Sequence, residues 1–562
     1  MQLKFQNLAV CLAISSLAFS QQEQTAVPPV RPFVLSPRIG IFNEAPLTLD
    51  QTLALALANN KDVDASRIDQ DRARYAVLGA RGAFDPRIGA NLYGQKTISP
   101  VASTISGSPT GSLLTRTWYA APQLTGALPW LGSSYEVDFA SSRITTNNTF
   151  ATLVPQYPTS LNLIFIQPLL RNLRFDANRH QVEVAKKNQS LTDEQFRQRV
   201  MQVVSQAEQA YWELAFAYRN LEVQLEAVRL GGEQDASNRR QEAQGLLAPI
   251  DVVAAQRQLA TFEINAYSAQ DALTTAENTL KLLILPDRTD PLWSTALVPS
   301  TPVDVSSPVL PLQDAVTEAL ANRPELAQVR ISSEINKTDT RYYRDQTKPQ
   351  MDLVITRTHA GLAGTPIPLQ PNPFSSLGAV YNQVNELSVL AGLPTIPLAS
   401  FGSGALPPTF IGGYGQSLNT LFAGDFPTTE FQLRFSVPIR NRTAEANLAT
   451  SLADARKIAD QRQQTEQIIE AGVRNAMQSV QSAKLRLRSA GVARESAEQQ
   501  YESEQRQFRA GTSTLFLVQQ RQSDMITARS VERRAESDLG IAIASFELAT
   551  GSVLRAHDVA LK

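Results

Sequence analysis

The stretch Leu47–Arg67, LTLDQTLALALANNKDVDASR, occurs a second time as Leu310–Arg330, LPLQDAVTEALANRPELAQVR. The two copies lie 263 residues apart and keep an ALAN core. Later landmarks have almost the same spacing, such as Gly245-Leu246 against Gly511-Thr512. Solenoid repeats have periods of about 20–50 residues, so this longer period indicates a duplicated half-molecule. The sequence therefore predicts two similar halves, residues 47–285 and 310–552.

The segments outside the two halves are short. Residues 1–20 have a charged start, an apolar run and a small-residue exit, the pattern of a secretory signal peptide. The only cysteine, Cys11, lies in that segment, so the mature chain is expected to have no disulfide. We expect residues 21–46 to be an irregular extension, residues 286–309 an extended proline-rich linker, and residues 553–562 a C-terminal tail.

Composition excludes several classes of function. With 52 basic and 53 acidic residues, the formal net charge is −1, which gives no electrostatic footprint for nucleic acid. The three histidines are scattered, and we find no nucleophile motif, phosphate-binding loop or metal-ligand spacing. We therefore expect no enzymatic activity, cofactor or metal site. The mature chain also lacks a run of about 18 apolar residues, so membrane insertion would require a closed β-barrel.

Long segments with few prolines predict helices. From about Asn178 to Gln244, apolar residues follow each other at alternating steps of three and four, the heptad rhythm of a coiled coil. A break at 245–249 precedes a second helical run to about Leu283, and the second half repeats this hairpin over 444–509 and on to about Thr550. At about 1.5 Å per residue, sixty-odd helical residues reach roughly 100 Å, so these helices need partners. The predicted heptad positions are Val204, Ala207, Tyr211, Leu214, Tyr218, Leu221, Leu225 and Val228.

Other segments alternate apolar and polar residues with a period of two, which predicts strands. Phe431, Leu433 and Phe435 alternate with Gln432 and Arg434, as expected for a strand with one lipid-facing side. A soluble β-domain would alternate in the same way. The second half contains a long predicted loop, residues 360–427, between two strands. The six candidate strands are 86–98, 117–128, 134–146, 158–168, 349–359 and 428–438.

In this order, the elements resemble those of TolC-family outer-membrane factors, the exit ducts of tripartite efflux pumps and type I secretion systems. The resemblance covers about Leu47 to Val553. It rests on the paired openings quoted above, on the strand-to-helix passages IQPLLRN and FSVPIRNR, and on the hairpin turns QGLLAPIDVVAAQRQL and AGTSTLFLVQQRQSDM.

The resemblance implies a mixed α and β fold in the outer membrane. Three chains would share a transmembrane antiparallel β-barrel of twelve strands, continued by a periplasmic α-barrel of long antiparallel coiled-coil helices. Such a homotrimer conducts substrates passively and has as partners a periplasmic adaptor (membrane fusion protein), an inner-membrane transporter and outer-membrane lipid. The alternative from the residues alone is a periplasmic coiled-coil structural or adaptor protein that is not itself a pore. Whether drugs, metals or proteins are transported is not determined by the sequence.

The same resemblance assigns the two hairpin turns to adaptor contact and to the periplasmic gate. Many relatives carry acidic residues after the second turn, whereas this chain has Leu517-Val518-Gln519-Gln520 there. An apolar closure by Leu515, Phe516 and Leu517 is therefore expected. Asp524, one helical turn further on, is expected to be a solvated carboxylate on the helix face, with a weaker acidic ring as the alternative. Candidate adaptor contacts are Gly245, Leu246, Asp251, Gly511, Thr512 and Thr514. Candidate gate residues are Leu515, Phe516, Leu517, Gln520 and Asp524.

The number of strands departs from the family pattern. Twelve strands over three chains require four from each, but the sequence offers six candidates. We expect two of them to form an extra hairpin, with its turn at Pro129–Ser134, beside or above the barrel. An eighteen-stranded barrel is the alternative.

Overall fold

A computed structural model describes residues 33–102, 107–108, 111–303, 310–367, 375–397 and 406–560. The predicted signal peptide and residues 21–32 of the predicted extension lie outside the described residues. The chain divides into two units. The first, the helical unit, contains the described residues up to Val63, those of Val200–Asn322 and those from Ala471 onward. The second, the sheet unit, contains Asp64–Arg199 and Arg323–Glu470.

The helices confirm the duplication. In the first half, α3 and α4 have 67 and 36 residues, and α9 and α10 in the second half have 68 and 36. Among the helices that the structure describes, none is both long enough and apolar enough to cross a membrane. The helices are α1 (Leu49–Asn59), α2 (Lys61–Arg81), α3 (Ala177–Ala243), α4 (Pro249–Ile284), α5 (Leu312–Asn322), α6 (Pro324–Gln346), α7 (Ser375–Leu390), α8 (Tyr414–Ala423), α9 (Arg442–Arg509), α10 (Leu515–Thr550) and α11 (Val553–Ala556).

The first copy of the repeated segment forms two helices, α1 and α2, because the chain breaks at Asn60. This residue has an extended backbone, with φ −65° and ψ 126°. Its side-chain oxygen accepts hydrogen bonds from the backbone N–H groups of Asp62 and Val63, at 2.9 and 3.3 Å. Asparagine commonly satisfies the free N–H groups at a helix start in this way, so α2 begins as a separate helix.

The heptad positions of α3 form part of the core of the helical unit. Four consecutive positions, from Val204 to Leu214, have 0% exposed surface. Farther along α3 the core continues through a cluster that joins α3, α4, α9 and α10. This packing supplies the partners that the long helices need, because helix propensity alone stabilises an isolated helix only weakly. The buried members of the cluster are Ala227, Val228, Phe262, Ala266, Tyr501, Val518, Met525 and Ile526.

A short parallel pair of strands belongs to the helical unit. β1 (Asn43–Leu47) pairs in parallel with β6 (Thr295–Pro299). The extension 21–46 was expected to be irregular and the linker 286–309 merely extended, so both predictions missed this pairing. Local sequence does not show it, because the two strands are about 250 residues apart and each is only five residues long.

All six predicted strands are present, and they form one antiparallel sheet in the sheet unit. Its order is β2-β3-β4-β5-β7-β8. The expectation that one hairpin would lie outside the main sheet was wrong, because β3 and β4 pair with each other up to Ala127 and Ser134 around a turn with positive φ at Leu131 and Gly132. The strands are β2 (Arg87–Pro100), β3 (Ser112–Ala127), β4 (Ser134–Thr146), β5 (Leu153–Pro168), β7 (Gln350–Pro366) and β8 (Pro427–Ser436).

The predicted loop 360–427 contains ordered secondary structure, so that prediction was also wrong in part. β7 continues to Pro366, and α7 and α8 follow before β8. α8 packs on β7 and β5: the Thr159 and Ser417 hydroxyl oxygens are 2.9 Å apart. Gly361 permits this approach, because a Cβ there would lie 2.3 Å from the Ser417 carbonyl oxygen.

Candidate channel wall and helix tips

One face of the six-stranded sheet is apolar from edge to edge. Directly opposed residues of antiparallel strands point to the same side of a sheet, so the register assigns each residue to a face. We call the side that carries Phe431 the apolar face and the other side the polar face. The larger apolar residues on the apolar face are Ile88, Leu92, Ile98, Leu114, Trp118, Leu124, Tyr135, Val137, Phe139, Tyr157, Leu161, Leu163, Phe165, Met351, Leu353, Ile355, Phe431, Leu433 and Phe435.

The polar face carries every carboxylate of the six strands. These are Glu136 and Asp138 on β4, Asp352 on β7 and Glu430 on β8. Asn162 donates a hydrogen bond to Asp138 across β4 and β5, at 3.2 Å. A sheet with one largely apolar side fits a wall between lipid and water, and it also fits a β-domain packed on a protein core.

The three residues predicted to face lipid lie together on the apolar face at the edge of the sheet. Phe431, Leu433 and Phe435 expose 72, 60 and 63% of their surface. At the other edge, Ile88 and Leu92 expose 85 and 73%. Contiguous exposed apolar surface of this kind marks an interaction with lipid or with another protein.

The sheet is open along β2 and β8. Each of these strands pairs on one side only within the described residues. All ten residues of β8 are exposed. Unpaired strand edges are normally covered or charged, so two long bare edges require another partner.

The first helix tip is a tight turn between α3 and α4. Gly245 has a φ of +69°, and the N–H groups of Gly245 and Leu246 donate to Glu242 and Gln241 at 2.8 and 2.9 Å. This pattern ends a helix and favours glycine, which adopts positive φ without strain. α4 then begins with Pro249, and Asp251 lies in its first turn, where a carboxylate interacts favourably with the helix N-terminus. Leu246 projects from the tip with 73% of its surface exposed.

The second tip repeats this geometry. Gly511 has a φ of +77°, and the N–H groups of Gly511 and Thr512 donate to Phe508 and Gln507, both at 3.0 Å. Thr514 is the N-cap residue of α10. The sequence predicted both turns at the correct residues, while their role in binding a partner stays a prediction.

The structure places the five candidate gate residues differently. Leu515 is 4% exposed and belongs to the core of the helical unit, so it is not available to close a pore. Phe516 and Leu517 are exposed by 69 and 39% and remain candidates. The carboxylate of Asp524 accepts from Gln520 at 2.9 Å and pairs with Arg521 at 3.4 Å, within its own helix. That pairing reduces the charge that Asp524 can present to a passing ion.

A charged cluster in the helical unit was not predicted from the sequence. His557 Nε2 lies 3.2 Å from Glu208 Oε2 and 3.3 Å from Glu547 Oε2. Burial alone lowers the pKa of His557, but the hydrogen bonds and charges of the two carboxylates outweigh it and raise the pKa to about 10. The three ligand atoms are close enough to hold a cation. However, an imidazolium has no free lone pair for a metal, so at neutral pH the cluster acts as an ion-paired clamp.

Comparisons with known proteins agree with this architecture. Residues 128–284 match the family model "Outer membrane efflux protein". No curated protein matches the chain. Among solved structures, the Campylobacter jejuni CmeC outer membrane channel is similar at a TM-score of 0.60 and 15% identity, covering 90% of this chain and 85% of that one. The outer membrane protein VceC from Vibrio cholerae is similar at 0.58 and 15%, covering 90 and 96%. The Neisseria gonorrhoeae MtrE outer membrane channel is similar at 0.55 and 13%, covering 90 and 89%.

At identities of 13–15%, these likenesses show the fold of the chain, in which long helical hairpins accompany a β-sheet. The family model matches residues 128–284, which include β4, β5, α3 and α4.

Proposed function

We propose that three copies of the chain close one barrel of eighteen strands, through which substrates leave the periplasm. The observation that carries this proposal is the continuous six-stranded sheet with two bare edges. If the extra hairpin stood apart from the sheet, each chain would contribute four strands. Because the hairpin is part of the sheet, each chain contributes six.

Strand direction supports closure between copies. β2 leads away from α2 and β8 leads into α9, so the two edges run in opposite directions. The β8 of one copy therefore lies antiparallel to the β2 of the next, as in other transmembrane barrels with an even number of strands. The apolar faces then join into one lipid-facing wall, and Phe431, Leu433 and Phe435 fill its seam.

The helix tips of this assembly would bind a periplasmic adaptor, which connects the channel to an inner-membrane transporter. Leu246 and Phe516 are exposed at the first and second tips, beside turns held in place by Gly245 and Gly511. Exposed apolar residues on a rigid turn are typical anchors of protein interfaces. The channel itself would carry out no chemistry on its substrate.

The mass of the protein tests the proposal. Isolated outer membranes are extracted with detergent, and the protein mass is measured by light scattering with the bound detergent subtracted. Three chain masses are expected. A monomer would contradict the shared barrel, and release of the protein without detergent would favour the periplasmic scaffold.

A further inference from the structure

The apolar face carries a basic cluster near the loop end of the sheet, the end away from α2, α3, α6 and α9. Lys96 on β2 and Arg116 on β3 are directly opposed, and Arg143 on β4 is opposed to Trp118, the next residue along that face of β3. All three basic side chains are exposed. Three cations on three adjacent strands span roughly 10 Å, twice the spacing of neighbouring strands.

This cluster lacks a counter-ion in the described part of the chain. Like charges that face each other across two strands destabilise a sheet. The strand carboxylates all lie on the polar face, and none of the three basic residues forms an ion pair among the described residues. An external anion would remove this repulsion.

A cavity of about 530 Å³ lies beside the cluster on the same face. Its floor consists of small residues from three strands, Gly94, Ala120 and Ser141, and its walls include Trp118 and Tyr414. Arg143 also lines it. A cavity with apolar walls and one cation is suited to a ligand with a hydrocarbon part and an anionic part.

The helix next to the cavity leaves some of its apolar side chains exposed. α8 buries Ser417, Thr420 and Leu421 against the sheet, while Phe422 is 73% exposed and Tyr414 41% exposed. Exposed apolar side chains beside an apolar sheet face mark contact with lipid or with another protein.

The position of the basic cluster along the membrane normal places it at the outer leaflet. Lys96 follows Ile88 by eight residues along β2. At about 3.3 Å per residue, and with the usual tilt of barrel strands, this places Lys96 roughly 20 Å from Ile88 along the membrane normal, close to the thickness of the apolar band. With the helical domain in the periplasm, as the proposed function requires, the loop end of the sheet faces outward.

We infer that the basic cluster and the adjoining cavity form a binding site for a phosphorylated, multiply acylated glycolipid of the outer leaflet. Lys96, Arg116 and Arg143 bind its phosphates, since guanidinium groups bind phosphate oxygens in pairs of hydrogen bonds. One acyl chain occupies the cavity between Trp118 and Tyr414. The site depends on the sheet of one chain, so it holds whatever number of chains closes the barrel.

Lipid binding by the full-length mature protein tests this site. Native mass spectrometry of the detergent-purified channel is performed with three probes: diphosphoryl lipid A, monophosphoryl lipid A and phosphatidylcholine. We expect diphosphoryl lipid A to bind most tightly, monophosphoryl lipid A less tightly and phosphatidylcholine most weakly. Arg143→Gln is expected to weaken lipid A binding roughly tenfold, because it removes a charge-assisted hydrogen bond.

Two further variants keep the result interpretable. Arg434→Gln removes the same charge from the polar face and should leave lipid A binding unchanged. Ser141→Leu keeps all three cations but fills the cavity floor, and it should also weaken binding even if Arg143→Gln fails to fold. Three results would overturn the assignment. One is that phosphatidylcholine binds as tightly as lipid A, and another is that the Arg143 and Arg434 variants have equal effects on lipid A binding. The third such result is full displacement of lipid A by millimolar inorganic phosphate. A monomer that binds lipid A normally would contradict the trimer but not this site.

Discussion

At the scale of single residues, a buried charged group joins three segments of the helical unit. Lys281 is fully buried, donates to the carbonyl oxygens of Trp293 and Thr295, and pairs with Glu277 at 2.5 Å. Glu277 also accepts from Arg38 at 2.6 Å. We predict that Glu277→Gln lowers the free energy of unfolding of this unit by about 3–5 kcal/mol, because two buried cations lose their anion.

The measurement is the thermal midpoint of helical circular dichroism for the detergent-purified protein. Asp271→Asn, an exposed change on the same helix, is the matched control and should shift the midpoint little. Equal midpoints for the two variants would show that the buried group contributes no net stability.

The clamp around His557 predicts a pH dependence. Its pKa in the folded protein, about 10, exceeds the ordinary value of 6.5. A raised pKa stabilises the folded state below the unfolded value, and this contribution is lost as pH rises from about 6.5 to 10. His557→Gln should therefore lower the thermal midpoint clearly at pH 6 and little near pH 10. A constant difference between the two proteins over this range would contradict a protonated clamp.

At the scale of elements, the position of α8 depends on one glycine. A Cβ at Gly361 would meet the backbone of Ser417, which has no flexible atoms to move aside. We predict that Gly361→Ala displaces α8 and increases hydrogen exchange over residues 414–423. Gly415→Ala, at a position with open space, is the control and should leave exchange unchanged or reduced. Unchanged hydrogen exchange in Gly361→Ala would mean that the strand moves to accommodate the added Cβ and that α8 stays in place.

The helix tips carry the second prediction at this scale. Leu246→Asp places a charge on an exposed residue, so it should leave the thermal midpoint nearly unchanged. If the tip anchors an adaptor, loss of this apolar contact should weaken pull-down of the cognate adaptor by roughly tenfold or more, as for an interface hot spot. Leu282→Asp, equally exposed at the other end of the same hairpin helix, is the control. Equal recovery of the adaptor with both variants would remove Leu246 from the interface.

The sequence predicted the bounds of helices and strands better than it predicted which of them lie next to each other. Heptad spacing and the glycine turns gave the hairpin helices to within about three residues, because both signals are local. The pairing of β1 with β6 and the neighbouring positions of Lys96, Arg116 and Arg143 were not predicted, since each depends on long-range pairing or strand register. Leu515 was assigned to the gate for the same reason: spacing alone does not show which side of α10 is buried.

At the scale of the whole molecule, the proposed barrel would close between the bare edges of different chains. The mature chain is predicted to lack cysteine, so introduced pairs report contacts without background. We predict that Leu92→Cys on β2 combined with Phe431→Cys or Leu433→Cys on β8 gives disulfide-linked oligomers in outer membranes. Both positions lie on the apolar face, where opposed side chains of an antiparallel pair approach within bonding distance.

Leu124→Cys on the inner strand β3, combined with Phe431→Cys, is the control and should remain monomeric on non-reducing gels. Cross-links within one chain, or none at either β8 position, would mean that β2 and β8 of different copies are not neighbours and that the hairpin β3–β4 does not widen the barrel.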